Sequence, residues 1–237
     1  MALVWLGIYL AVMNIALRFS GSFDAWADTP LPLLLIPVGC ILLFAGIATA
    51  WICTNGLRGY LGLCKFRGNK KAFLWFIPLL LISCGNLGGV FTGVSPASIL
   101  MAIYMAAVGY TEELLFRGFL FRSLAKGNMK FAIFLASLTF GAGHLLNLTT
   151  GGELYSTLLQ FAYATAIGFL YTVICWRGGS LIPCMLSHSF FNASSVFFTQ
   201  SDNFFITLAV ILLSLSYGLR IWKQGGLQNA QTSSTPG

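Results

Sequence analysis

The run SILMAIYMAAVGYTEELLFRGFLF, Ser98 to Phe121, is long and apolar enough to cross a bilayer, yet it carries two adjacent glutamates and an arginine. A membrane-spanning helix needs about 20 mainly apolar residues. Ionisable side chains at membrane depth are costly, and they turn toward the interior of a helix bundle or a water-filled cavity. The stretch therefore decides two things together. It makes the protein a membrane helix bundle, and it marks Glu112, Glu113 and Arg117 as residues that need a reason to be there.

The rest of the chain supports that reading. Of its 237 residues 57% are hydrophobic and 8% charged, against about 25% charged in an ordinary soluble domain. Mean hydropathy is +0.84. Working outward from Ser98–Phe121, further candidate spans are Leu3–Phe19, Leu31–Thr54, Ala72–Phe91, Phe131–Leu146, Leu154–Trp176, Leu181–Phe198 and Phe204–Trp222. The expected fold is an all-α, polytopic bundle of about eight spans. Its expected organisation is a single transmembrane domain over 1–223, with the motif-bearing part at 98–198 and a disordered polar tail at 224–237. The spans Phe131–Leu146 and Leu181–Phe198 are short, as are spans that border cavities inside bundles. Met1-Ala-Leu-Val-Trp5 lacks a basic n-region and reads as the start of the first span.

Charge orients the bundle. With a cytoplasmic N-terminus the inner loops hold Arg58, Lys65, Arg67, Lys70, Lys71, Arg122, Lys126, Lys130, Arg177, Arg220 and Lys223, and the outer loops hold Arg18 as their only base. Asp24, Asp28, Glu153 and Asp202 fall outside. The positive-inside rule then places both termini in the cytoplasm, in the plasma membrane as the expected location. The net charge of +7 follows from topology and from attraction to anionic lipid, not from a nucleic-acid surface. The six cysteines, Cys40, Cys53, Cys64, Cys84, Cys175 and Cys184, show no CxxC spacing and read as free packing thiols.

Once the loops are assigned, the remaining ionisable candidates are Glu112, Glu113, Arg117 and the two histidines, His144 and His188, all within predicted spans. Glu113 and Arg117 are four apart and can pair along one helix face. Glu112 points about 100° away from Glu113, so it is the carboxylate left free. Gly141 and Gly143 flank the approach to His144, where small residues let membrane helices come close, and Phe140 shares the face of His144. His188 and Asn192 are four apart, and two aimed donors suit a developing oxyanion. The plainer reading of each group alone is a polar clamp between helices. Taken together, a base, a water ligand and an oxyanion donor are what amide hydrolysis requires.

These residues resemble the motifs of a known family. Glu112-Glu113-Leu-Leu-Phe-Arg117 is similar to its EExxxR motif, Phe140-Gly-Ala-Gly-His144 to FxxxH, and His188-Ser-Phe-Phe-Asn192 to HxxxN. The family is the CPBP group of intramembrane proteases, which takes in the type II CAAX prenyl endopeptidases, the Abi proteins and the bacteriocin self-immunity proteins. The resemblance runs from about Ser98 to about Phe198. It implies an intramembrane endopeptidase in which Glu112 activates the attacking water, His144 helps to hold it, His188 and Asn192 stabilise the oxyanion, and Glu113 and Arg117 support the site.

The group is commonly classed as metalloproteases, and a zinc ion held by Glu112, His144 and His188 is one option. Metal-independent chemistry is favoured, because HExxH is absent and Asn192 is a poor zinc ligand. Counting along each helix, Glu112 lies about 15 Å from Arg122, His188 about 10 Å from Leu181 and His144 about 21 Å from Lys130. The expected site is a cavity near the midplane that opens to the cytoplasm. The expected partners are the bilayer and a peptide or protein substrate; in a bacterium this would mean peptide processing or bacteriocin immunity. The competing classes are a proton-coupled transporter and a non-catalytic immunity protein.

Overall fold

The computed structural model describes residues 2–20, 26, 28–66, 74–199 and 204–224. The helices are α1 (Ala2–Ser20), α2 (Leu31–Thr54), α3 (Ile77–Ser83), α4 (Pro96–Glu113), α5 (Phe121–Leu124), α6 (Met129–Gly143), α7 (Leu154–Gly178), α8 (Ile182–Ser194) and α9 (Phe204–Lys223). A π-helical turn, Leu114–Leu120, joins α4 to α5, and a 3₁₀ turn, His144–Thr150, extends α6. Among the described residues there is no β-strand, and the fold is all-helical. The loop residues Asp24, Arg67, Lys70, Lys71 and Asp202, and the tail from residue 225 onward, lie outside the described residues.

Five stretches are long and apolar enough to cross a membrane: Leu31–Thr54, Pro96–Leu124, Met129–Thr149, Leu154–Gly178 and Phe204–Lys223. The expectation of about eight spans is met only in part. The hydrophobic run Ala72–Phe91 does not form one span: α3 stops at Ser83, and Gly85–Gly88 turns as a 3₁₀ helix. Glycines at 85, 88 and 89 weaken helix continuation there. The Asn86 amide instead donates to the Phe191 carbonyl at 2.6 Å and to Ser194 Oγ at 2.9 Å, tying the break to α8. Helix α8 itself is only 13 residues long.

Large apolar side chains cover the outside: Leu3, Leu43, Leu80, Leu81, Phe205 and Leu213 are all exposed. An apolar exterior of this extent needs lipid or a partner to cover it. The five spanning helices and this exterior are those of an integral membrane protein.

Local sequence sets the helix ends that matter for the site. Ser95 and Ser98 form a reciprocal capping box at the start of α4, with Pro96 in the first turn. The Asn128 side chain caps α6, accepting from the Phe131 N–H at 3.1 Å. Gly179 ends α7 in the left-handed conformation, φ 68°. Helix α4 packs on α8 and α2, and α6 on α7. Gly109 allows the first of these contacts, since a Cβ there would come within 2.9 Å of the Ser189 nitrogen. Gly141 allows the α6–α7 contact, since a Cβ would lie 2.0 Å from Thr165 Oγ1 and 2.8 Å from the Phe161 carbonyl. Gly143 faces open space instead, so of the two small residues beside His144 only Gly141 serves close packing.

The segments before α4 and after α8 pair with each other. Phe91 and Phe198 form an isolated antiparallel bridge. The Thr92 N–H donates to the Phe197 carbonyl, and the Thr199 N–H to the Val90 carbonyl, each at 2.9 Å. All five glutamate, arginine and histidine candidates lie between these two ends.

Candidate active site

Glu112 and Glu113 close α4, and the chain then widens into the π turn that carries Arg117. Single π turns inside helices are frequent at functional sites. The Glu113 and Arg117 side chains are both fully buried, and Arg117 Nη1 donates to Glu113 Oε1 at 2.7 Å. The pairing expected from the four-residue spacing is therefore present, although Arg117 sits on a π turn rather than on a regular α-helix. The guanidinium carbon lies 4.0 Å from the centre of the Phe140 ring and 5.7 Å from that of Tyr171. A desolvated guanidinium gains up to about 2 kcal/mol from such a ring face. Phe140 is thus the floor under Arg117 as well as a neighbour of His144.

His188 on α8 joins the two carboxylates. Its Nδ1 is 3.0 Å from Glu113 Oε1, and its Nε2 is 3.7 Å from Glu112 Oε2. Glu113 Oε1 already accepts from Arg117 Nη1, and with a hydrogen on Nδ1 the imidazole donates to the same oxygen. That assignment leaves Nε2 turned toward Glu112. A second group braces the back of α8: the Tyr171 and Ser187 hydroxyls are 2.7 Å apart, Ser83 Oγ donates to Ser187 Oγ at 2.8 Å, and Ser187 Oγ donates to the Leu79 carbonyl at 2.9 Å. These bonds tie the residue next to His188 to α3 and α7.

His144 ends α6 and opens the 3₁₀ turn, half-buried. Its ring meets Phe140 edge-on at 5.8 Å, and the His188 ring meets the same phenyl at 5.6 Å. His144 is within electrostatic reach of Glu112 and His188. The structure thus gathers Glu112, Glu113, Arg117, Phe140, His144 and His188 around one phenyl ring and one carboxylate pair. Asn192 follows a turn after His188, half-buried. Its side chain has no hydrogen-bond partner among the described residues, and no contact joins it to the carboxylates.

The two glutamates differ in access. The side chain of Glu113 is 0% exposed, while Glu112 is 19% and His188 12% exposed. Glu112 Oε1 accepts a hydrogen bond from the Tyr9 hydroxyl at 3.0 Å, and Oε2 faces His188. Sequence reasoning missed Tyr9, because a single tyrosine in an apolar helix carries no spacing signal. It also missed the π turn, which has no sequence period of its own.

Zinc was one option for Glu112, His144 and His188. Among the described residues, no three His, Cys, Asp or Glu side chains gather so as to hold a metal ion. That arrangement does not fit a bound zinc. All six cysteines are free thiols.

Residues 94–194 match the family model described as type II CAAX prenyl endopeptidase Rce1-like. The matched segment runs from just before α4 to the end of α8 and contains all three motifs, in agreement with the resemblance read from them. It supports a protease of the CAAX type. No curated protein and no solved structure matches the chain.

Proposed function

We propose that this protein is an intramembrane endopeptidase that hydrolyses a peptide bond by direct attack of water, with Glu112 as the general base. The observation that carries this reading is the division of labour between adjacent carboxylates. Glu113 is sealed and neutralised by Arg117, whereas Glu112 makes no contact with Arg117 and keeps one oxygen in a partly open position beside His188. A general base must be free to take a proton and within hydrogen-bond reach of the water that gives it up.

The chemistry balances on this chain's own residues. Water held at Glu112 Oε2, with His144 as its second holder, gives its proton to that carboxylate as its oxygen bonds to the scissile carbonyl carbon. The negative charge moves to the carbonyl oxygen, where Asn192 supplies one donor and His188 a second through Nε2–H, with both of its ring nitrogens protonated while Nδ1–H is held by Glu113. The carbon–nitrogen bond then breaks, and Glu112 returns the proton to the departing amine. Glu113 and Arg117 hold His188 in its orientation throughout. No acyl-enzyme is formed. The substrate is a peptide that reaches membrane depth, such as a lipidated C-terminus or a membrane-associated propeptide. In a bacterium this chemistry serves peptide maturation or bacteriocin immunity in the plasma membrane.

The test is cleavage of a peptide panel, prenylated CAAX peptides included, by the purified protein in detergent. Glu112→Gln should lower kcat by about 10²- to 10⁴-fold, the usual worth of a general base, with the melting temperature unchanged. Cleavage that survives a strong zinc chelator supports the glutamate–water reading; loss under chelator replaces it with a zinc enzyme. A folded wild-type protein that cleaves nothing in the panel overturns the protease reading in favour of a non-catalytic protein. A proton-coupled transporter would also fail in Glu112→Gln, but without any peptide cleavage.

A further inference from the structure

We propose that Tyr9, on a helix outside the family-matched segment, is a positioning residue that aims the Glu112 carboxylate. This inference rests on the protease reading above and deepens it. Tyr9 is buried, 5% exposed, and its hydroxyl donates to Glu112 Oε1 at 3.0 Å across 103 positions of sequence. A carboxylate has two oxygens and turns freely about its terminal bond unless one of them is held. Tyr9 holds Oε1, and Oε2 then faces His188 Nε2 at 3.7 Å. The carboxylate is fixed at one oxygen and offered at the other, as a base that must meet water in one direction requires.

The helix that carries Tyr9 is itself held in register. The Trp5 ring stacks on Phe119 of the π turn, 6.1 Å between centres and 10° between planes. It also packs against Phe44 at 5.7 Å and Trp51 at 5.6 Å, both on α2. The Tyr9 ring lies against Phe44 at 5.9 Å. Trp5 and Tyr9 are four residues apart and share a face of α1. One therefore docks the helix on the turn that carries Arg117, while the other reaches Glu112. The consequence for function is that the 94–194 segment does not hold its proposed base without α1.

The test uses the full-length protein in detergent and the Tyr9→Phe variant, which keeps the ring and removes only the hydroxyl. Loss of a hydrogen bond to a charged group predicts a fall in kcat of about 10- to 100-fold, with KM within about twofold. A merely structural tyrosine would leave kcat and KM at their wild-type values in the folded fraction, and that result overturns the proposal.

The melting temperatures of wild type, Tyr9→Phe, Glu112→Ala and the double variant form an independent arm. Tyr9→Phe should lower the melting temperature when Glu112 is present and not when it is alanine. An equal shift in both backgrounds shows that the two side chains do not interact, and overturns the proposal without reference to activity. If the shifts differ but the wild type cleaves nothing, the protease reading has failed. The bond then remains a tie between α1 and α4, and the positioning role falls with that reading.

Discussion

At the scale of single residues the site turns on one atom. Glu113 Oε1 receives Arg117 Nη1 and His188 Nδ1, so neutralising the buried acid and aiming the imidazole are the same event. Removing Arg117 alone would strand a carboxylate with no exposed surface. Breaking such a buried pair costs about 3–5 kcal/mol. Arg117→Met should therefore lower unfolding stability in detergent by that order, measured by thermal or denaturant melts. Adding Glu113→Leu to it should restore much of the loss without restoring cleavage.

The Glu113–Arg117 pair was legible in the sequence, because four-residue spacing is a local rule and both residues follow one another on a continuous helical path. The freedom of Glu112 followed from the same rule. Tyr9 was not legible: spacing rules reach along one helix, and this contact joins two helices far apart in sequence. Asn192 shows the opposite limit. Its motif spacing is regular, yet none of the observed contacts draws it to the carboxylates.

At the scale of elements, two things position the site: the close approach of α4 to α8 and the π turn after Glu113. The α4–α8 approach rests on Gly109, whose missing Cβ is replaced by the backbone of His188 and Ser189 at 2.9–3.0 Å. Backbone cannot rotate away as a side-chain tip can. Gly109→Ala should push α8 outward, cost about 1–3 kcal/mol in line with overpacked cores, and lower cleavage at least tenfold by widening the Glu112–His188 gap. Gly143→Ala is the control: its Cβ meets open space, and stability should stay within about 0.5 kcal/mol. From sequence, Gly141 and Gly143 looked equivalent; only the opposing helix distinguishes them, because Thr165 and Phe161 stand over the first and nothing stands over the second. The turn Leu114–Leu120 leaves no trace in the sequence, since a run of Leu, Phe and Gly is equally apolar in either geometry.

At the scale of the whole molecule, the membrane character was plain from the scarcity of charge. The number of crossings was not. A hydropathy window counts Ala72–Phe91 as continuous apolar sequence, whereas the chain breaks at Cys84 and Gly85. Short helices such as α8 can satisfy their backbone and still stop partway through a bilayer when protein surrounds their ends. Orientation rests on the loop bases. It predicts a cytoplasmic C-terminus: a fluorescent protein fused after Gly237 should fluoresce in cells, and an alkaline phosphatase fused there should stay inactive. The reverse pair of results would invert the bundle and place the basic loops outside.

The antiparallel clasp between Val90–Thr92 and Phe197–Thr199 gives the site-bearing stretch a closed perimeter. Its entrance and exit lie side by side, so it can be treated as an insert with a single doorway. New chain ends opened within a connection such as Gly151–Gly152, with the old ends at the clasp rejoined by a short linker, would leave the order of α4, α6 and α8 around Phe140 untouched. The same geometry makes that doorway the place for an exchange of flanking helices. What such an exchange must supply anew is one phenolic hydroxyl for Glu112.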